Sequence, residues 1–265
     1  MDVHGFMREL DHSAANPVQY TIRLGDDEAA VNEWIGHTVT VTFLNEKRCI
    51  VCNRKVNKLY QGGYCFPCVT SLAQTDLCIV KPHECHFHLG TCRDATFGET
   101  HCMIPHYVYL SVSSQAKVGL TRKGRQLRRW VDQGATSAVL LAQVPTRKDA
   151  GELEMEIART MPDKTDWRKL VQGVSAKVDL MEMAETVREA LSERWHPFWL
   201  SERELHTFEY PVLADRTPKA KSFSLDKTPV VSGVLIGVRG QYLLFDDGVL
   251  QMRKHAGLLC EVKVG

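Results

Sequence analysis

Apolar and polar residues alternate with a period of two in TVTVTFL (Thr38 to Leu44), HYVYLSVSS (His106 to Ser114) and AKVGLT (Ala116 to Thr121). That is the spacing of half-buried strands, and SSQ between the last two reads as a hairpin turn. RQLRRWVDQ (Arg125 to Gln133) follows as a short helix closed by Gly134, and SAVLLAQVP (Ser137 to Pro145) as a third strand. Thr146 and Asp149 have the spacing of a capping pair for the helix RKDAGELEMEIAR (147–159), which Pro162 ends. The middle of the chain is therefore expected to run strand, strand, helix, strand, helix.

Within that last helix Ala150, Leu153, Ile157 and Met161 form an apolar stripe, and Glu152 and Glu156 share an outer face. Glu154 lies apart from both, at the edge of the stripe. A carboxylate there needs a cation, a metal ion or an arginine as partner, and a purely structural arginine pair satisfies it equally well. Gly151 costs about 1 kcal/mol in a helix interior, which suggests that something packs closely against it.

The two ends echo each other. Gly5, Gln19-Tyr20 and Gly36 have counterparts in Gly233, Gln241-Tyr242 and Gly257, each set followed by an alternating strand. Two small β units related by an internal repeat are expected, of a kind found in nucleic-acid-binding barrels and in inert modules alike. Val174 to Trp195 reads as one amphipathic helix, followed by Phe198 and Trp199, whose rings suit core packing better than base stacking. Residues 214–229 (ADRTPKAKSFSLDKTP) read as a linker or exposed loop.

At 265 residues, with 44% hydrophobic and 25% charged positions, the chain has the composition of a soluble protein of about two domains. Lys and Arg number 33 against 32 Asp and Glu, so contact with a polyanion has to come from a local patch. One exists: Lys117 to Trp130 carries Lys117, Arg122, Lys123, Arg125, Arg128 and Arg129 with no acidic residue. It reads as a phosphate-facing edge or as a solvated charged face. MDVHGFMRELDHSAANP lacks the apolar segment of a secretion signal, and no window approaches the ~18 apolar residues of a membrane span. A cytoplasmic, membrane-free setting is expected.

Eight of nine cysteines fall between Cys49 and Cys102. Cys49-x2-Cys52 and Cys65-x2-Cys68 are paired tight-turn motifs, whose four thiolates suit tetrahedral Zn²⁺ better than a redox role or four unrelated core thiols. Gly62 and Gly63 supply the backbone freedom such a turn needs. Cys78, Cys85, Cys92 and Cys102 are spaced more widely, among His83, His86, His88, His101 and His106. They are expected to hold a second zinc, with a histidine able to replace Cys78. The alternative is that some are core thiols and the histidines are solvated. Cys260, in an apolar strand, reads as a buried core thiol.

Residues 107–160 resemble the GIY-YIG nuclease core. Val108-Tyr109 stands where that family has its first strand tyrosine, and Lys117-Val118-Gly119 where it has the second motif, followed by Thr121. Arg129-Trp130 matches the arginine of the next helix, and Leu153-Glu154 the Leu-Glu pair of the last. The resemblance implies that Glu154 holds one divalent metal, Mg²⁺ or Mn²⁺, that Tyr109 positions or deprotonates the attacking water, that Arg129 with Arg122 neutralises phosphate, and that Gly119 lets the backbone turn tightly. Lys117 departs from the family's second tyrosine, which leaves room for a scaffold that grips phosphate without cutting. The strings KVGLTR, RWVDQGA and DKTDWR behind a cysteine-rich module are also similar to an uncharacterised prokaryotic family, a likeness that names no activity.

The expected fold is α+β. A β unit (1–48) precedes a small zinc-ribbon-like module (49–105), a GIY-YIG-like antiparallel sheet with helices (106–200), and a linker with a second β unit (201–265). The expected function is action on DNA or RNA as a one-metal nuclease. The alternatives are a zinc-stabilised nucleic-acid binder without chemistry and a protein-interaction scaffold.

Overall fold

The structure is a computed structural model and describes residues 2–161 and 166–265. Pro162 as a helix end and the first three residues of DKTDWR lie outside the described residues. The first part of the chain forms β1 (Asp2–Phe6), β2 (Asp11–Ser13), β3 (Gln19–Leu24), β4 (Asp27–Ala30), β5 (Thr38–Lys47) and α1 (Phe66–Ser71). Next come α2 (Leu77–Val80), α3 (Ala95–His101), β6 (His106–Val112), β7 (Ala116–Arg122), α4 (Gln126–Asp132), β8 (Ser137–Val144) and α5 (Arg147–Ala158). The remainder forms α6 (Trp167–Val171), α7 (Leu180–Ala190), β9 (His206–Thr207), β10 (Val230–Arg239), β11 (Tyr242–Phe245), β12 (Gly248–Gln251) and β13 (Leu258–Val264). The protein is α+β with antiparallel sheets.

These elements group into two compact units: residues 1–70, 171–173 and 208–265 in one, and residues 71–170 and 174–207 in the other. The four consecutive segments expected from sequence group differently here. Both chain ends share a unit with the first cysteine set, because β1 pairs with β13 and β5 with β10. The second cysteine set belongs to the unit of the central sheet, so the 49–105 segment is divided.

In the first unit one sheet has the order β1-β13-β5-β10-β11-β12, and β2-β3-β4 form another. The repeat is visible in the register. With Gly5 matched to Gly233 and Gly36 to Gly257, the pair Gly5–Cys260 has its mate in Gly233–Val39, and Asp2–Lys263 in Val230–Thr42. Cys260–Phe43 maps onto Val264–Val39, while Val41–Val262 is its own mate and marks a local two-fold axis. The backbone bonds follow: Gly257 N–H donates to Met7 O and Gly36 N–H to Leu235 O. Val39, Val41, Leu235, Cys260 and Val262 are fully buried along this seam, and burial pushes the Cys260 thiol up to about 12.

Residues 214–229 are not a free linker. Phe223 N–H donates to Val249 O and Val249 N–H to Lys221 O. Phe223 meets Phe245 edge-on, and Leu225 is fully buried with its N–H on His255 Nε2. Phe223 and Leu225, in an otherwise mostly polar stretch, pin it to β11, β12 and His255.

In the second unit the sheet order is β7-β6-β8-β9. Val108, Leu110 and Val112 point to one face and pack with Val118, Leu120, Leu153, Ile157, Ala184 and Trp195. Thr146 and Asp149 form the expected capping box of α5. Glu152 and Glu156 do not simply face water: Glu152 pairs with Lys148, and Glu156 accepts from Ser192 N–H and Trp195 Nε1. The helix expected over 174–195 is only α7, because Asp179 caps it by accepting from Met181 and Glu182 N–H. Phe198 and Trp199 pack on the core, as expected.

Candidate functional site

β5 leads directly into the first cysteine pair. Cys49 N–H donates to Arg54 O, and Asn53, in the left-handed region at φ 57°, returns its N–H to Cys49 O. The second turn passes through Gln61, Gly62 and Gly63, all at positive φ, before Cys65 opens α1 with Cys68 one turn in. A Cβ on Gly63 would lie 2.5 Å from Ile50 Cγ2 in the facing turn, so the two turns approach this closely only because the residue is glycine. The four sulfur atoms lie within 4.8 Å of one another, with Cys52 and Cys65 Sγ 3.6 Å apart. Zn–S bonds of about 2.3 Å in a tetrahedron require sulfur separations of about 3.8 Å. The donor set therefore fits a metal such as zinc. Burial alone would raise the Cys49 thiol, but backbone N–H groups of Cys52, Cys65 and Val51 outweigh it and hold it at about 6. Hydrogen bonding to Cys65, together with burial, pushes Cys68 up to about 12.

The second set is assembled from short helical turns. Cys78 lies in α2, Cys85 and Cys92 in the connections, and Cys102 at the end of α3. All four thiols, with Asp76 and His86, line one cavity of about 10 Å³. Burial raises Cys102 and pushes Cys78 up to about 11. The other four histidines are not part of this lining. His101 stacks on Phe97, and the backbone of His83 packs against α5.

Tyr109 lies in β6, the strand flanked by β7 and β8, directly opposite Gly119 in the edge strand β7. Its ring crosses that glycine: a Cβ there would sit 2.6 Å from the hydroxyl. Gly119 is thus mid-strand with ordinary φ, and its role is room for the tyrosine rather than the tight turn expected. The Tyr109 hydroxyl donates to Gln133 Oε1 at 3.1 Å, and the ring meets Trp130 edge-on. Burial raises its pKa; Arg129 acts in the opposite direction through charge and hydrogen bonding, and Glu154 adds to the rise. Glu154 also acts on Arg147, whose guanidinium is buried and donates to Ile79 O at 2.7 Å.

The fold thus brings Tyr109, Gly119, Arg129 and Glu154 to one place. Arg122 stands further along β7, opposite His106, where its charge is felt, and burial with the charge of Arg125 lowers its own pKa. Lys117 lies opposite Ser111, two residues from Gly119 and on the same strand face. Lys123, Arg125 and Arg129 are exposed, and Lys117, Arg122 and Arg128 are half-buried. Sequence reasoning missed Gln133, Arg147 and Asp76, which carry no periodicity or spacing signal. Among the described residues no helix is long and apolar enough to cross a membrane.

A family model described as protein of unknown function (DUF2797) matches residues 36–260. No curated protein and no solved structure matches the chain.

Proposed function

The chain belongs to the DUF2797 family, and on its geometry we propose that it is a zinc-stabilised protein that binds nucleic acid and cuts phosphodiesters at a GIY-YIG-like site. One observation carries the reading: Arg129 and Glu154, from two different helices, act on the same buried Tyr109 hydroxyl above Gly119. The strand, strand, helix, strand, helix order that the resemblance implies supports it.

In this reading the exposed Arg129 binds a phosphate through its guanidinium, and Lys117, Lys123 and Arg125 extend the grip along the backbone. Glu154, which also acts on Arg147, is the carboxylate that would hold a divalent ion. Mg²⁺ or Mn²⁺ fits a single carboxylate because such ions retain several waters. When bound, the ion supplies Lewis-acid polarisation of the phosphodiester and stabilises the leaving oxygen. Tyr109 has no exposed surface and a raised pKa, both of which oppose the phenolate that proton abstraction needs. Its role here is to position Arg129 and Gln133.

A non-catalytic binder is the second reading, favoured by Lys117 in place of the family's second tyrosine. A cleavage assay separates the two. Wild type and Glu154→Ala are incubated with labelled DNA and RNA panels in Mg²⁺ or Mn²⁺, and the same reactions are run on a native gel. Metal-dependent cutting that falls about 100-fold or more in the variant, with binding retained, supports the nuclease. Equal binding without cutting supports the binder. Neither binding nor cutting sinks the proposal and favours a protein-interaction scaffold.

A further inference from the structure

We propose a second metal site in the cavity between α2 and α3, formed by Cys78 and His86 with thiolates from Cys85, Cys92 and Cys102 on the same walls. Asp76, Cys78 and His86 present ligand atoms within 4.8 Å of one another, separate from the Cys49–Cys68 set. The cavity measures about 10 Å³, roughly the space of one water-sized sphere, and six residues able to ligate a metal are among those that line it. None of these cysteines is in a disulfide, and Cys78, Cys85 and Cys102 are buried.

The need for an ion follows from what else is buried there. Between residues 72 and 104 the buried apolar side chains are Ala73, Pro82 and those three cysteines. Of the larger ones, Leu77, Val80 and Leu89 are exposed, while Leu72, Ile79, Phe87, Phe97, Met103 and Ile104 are only half-buried. A segment of this length in which no leucine, isoleucine, valine or phenylalanine is fully buried has little of the apolar burial that holds short folds together. A structural metal supplies that free energy directly.

The donors are also held in place. Arg93 Nε lies 2.7 Å from Asp76 Oδ2, leaving Oδ1 3.6 Å from His86 Nε2, while His86 Nδ1 lies 2.8 Å from Thr91 Oγ1. The hydroxyl orients the imidazole through Nδ1, the usual support of a metal-binding histidine, and leaves Nε2, on the side of Asp76 Oδ1, as the nitrogen that faces the ion. Thiolate and imidazole donors select zinc or its spectroscopic substitute cobalt over magnesium or calcium.

Native mass spectrometry and elemental analysis of the full chain, loaded with Zn²⁺ or Co²⁺, test this. Wild type is expected to hold two ions. The Cys52→Ser, Cys68→Ser variant is expected to keep one, with cobalt–thiolate charge-transfer absorption still present. Cys78→Ser with Cys85→Ser is expected to lose one, and His86→Ala to weaken cobalt binding at that site. A single ion in wild type overturns the proposal without reliance on any variant. Two ions retained in the Cys78, Cys85 variant also overturn it.

Discussion

His106 opens β6 with no exposed surface. Its Nδ1 lies 2.7 Å from Ile104 O, which makes Nδ1 the protonated nitrogen, and its Nε2 has no hydrogen-bond partner among the described residues. Burial, aided by the charges of Arg147 and Arg122 and opposed by the Ile104 bond, lowers its pKa to about 4. An unfolded histidine titrates near 6.5, so between pH 6.5 and 4 the unfolded chain takes up a proton that the folded chain refuses. Stability therefore falls as pH falls through that window, by about 3 kcal/mol when the shift is fully expressed. Urea unfolding from pH 7 to 4.5 should show this slope, and His106→Gln should flatten it. An unchanged slope in the variant would assign the acid sensitivity elsewhere. This histidine was legible only as one of five near the cysteines; its burial is a property of the sheet.

For helix α5 the capping box and the apolar stripe were both readable from residues 146–161, because caps and periodicity are local. The helix's neighbour was not, although Gly151 hinted at one. The structure shows the Pro82–His83 backbone against it: a Cβ would lie 2.4 Å from His83 N and 2.7 Å from Pro82 C. Arg147 adds two more links, its N–H to Cys102 O and its guanidinium to Ile79 O. The cysteine segment thus braces the helix that carries Glu154. A glycine-to-alanine change inside a helix ordinarily stabilises by up to about 1 kcal/mol. Here Gly151→Ala should instead destabilise by about 1–3 kcal/mol, because backbone atoms have to move. Denaturant titration of the variant checks the sign, and a gain in stability would mean the contact is looser than it stands.

Across the whole chain, metal is expected to decide whether the protein is folded. A structural zinc contributes roughly 10–16 kcal/mol in apparent terms, at least comparable with the ~5–15 kcal/mol of a typical domain. Chelation should therefore lower the melting temperature and open the 49–68 turns to protease, and added Zn²⁺ should restore both. Acidification should favour release as well, since the ligands are thiolates. A melting curve indifferent to chelator and zinc would remove the metal from the account of the fold.

By itself the sequence determined the local grammar: the hairpin of β6 and β7, the helices around it, the capping box, the paired cysteine turns with their glycines, and the echo between the two ends. Each of these depends on residues a few positions apart or on a repeated pattern. Tertiary structure decided how distant pieces combine. It joined β1 to β13 and β5 to β10 about a shared axis, tied residues 214–229 to β11 and β12 through Phe223 and to His255 through Leu225, and started α7 at Asp179. It also set Gly119 beneath the Tyr109 ring and gathered Asp76 and His86 with the second cysteines. Such contacts depend on which surfaces remain to be buried once the local elements exist, and neither residue spacing nor propensity encodes that.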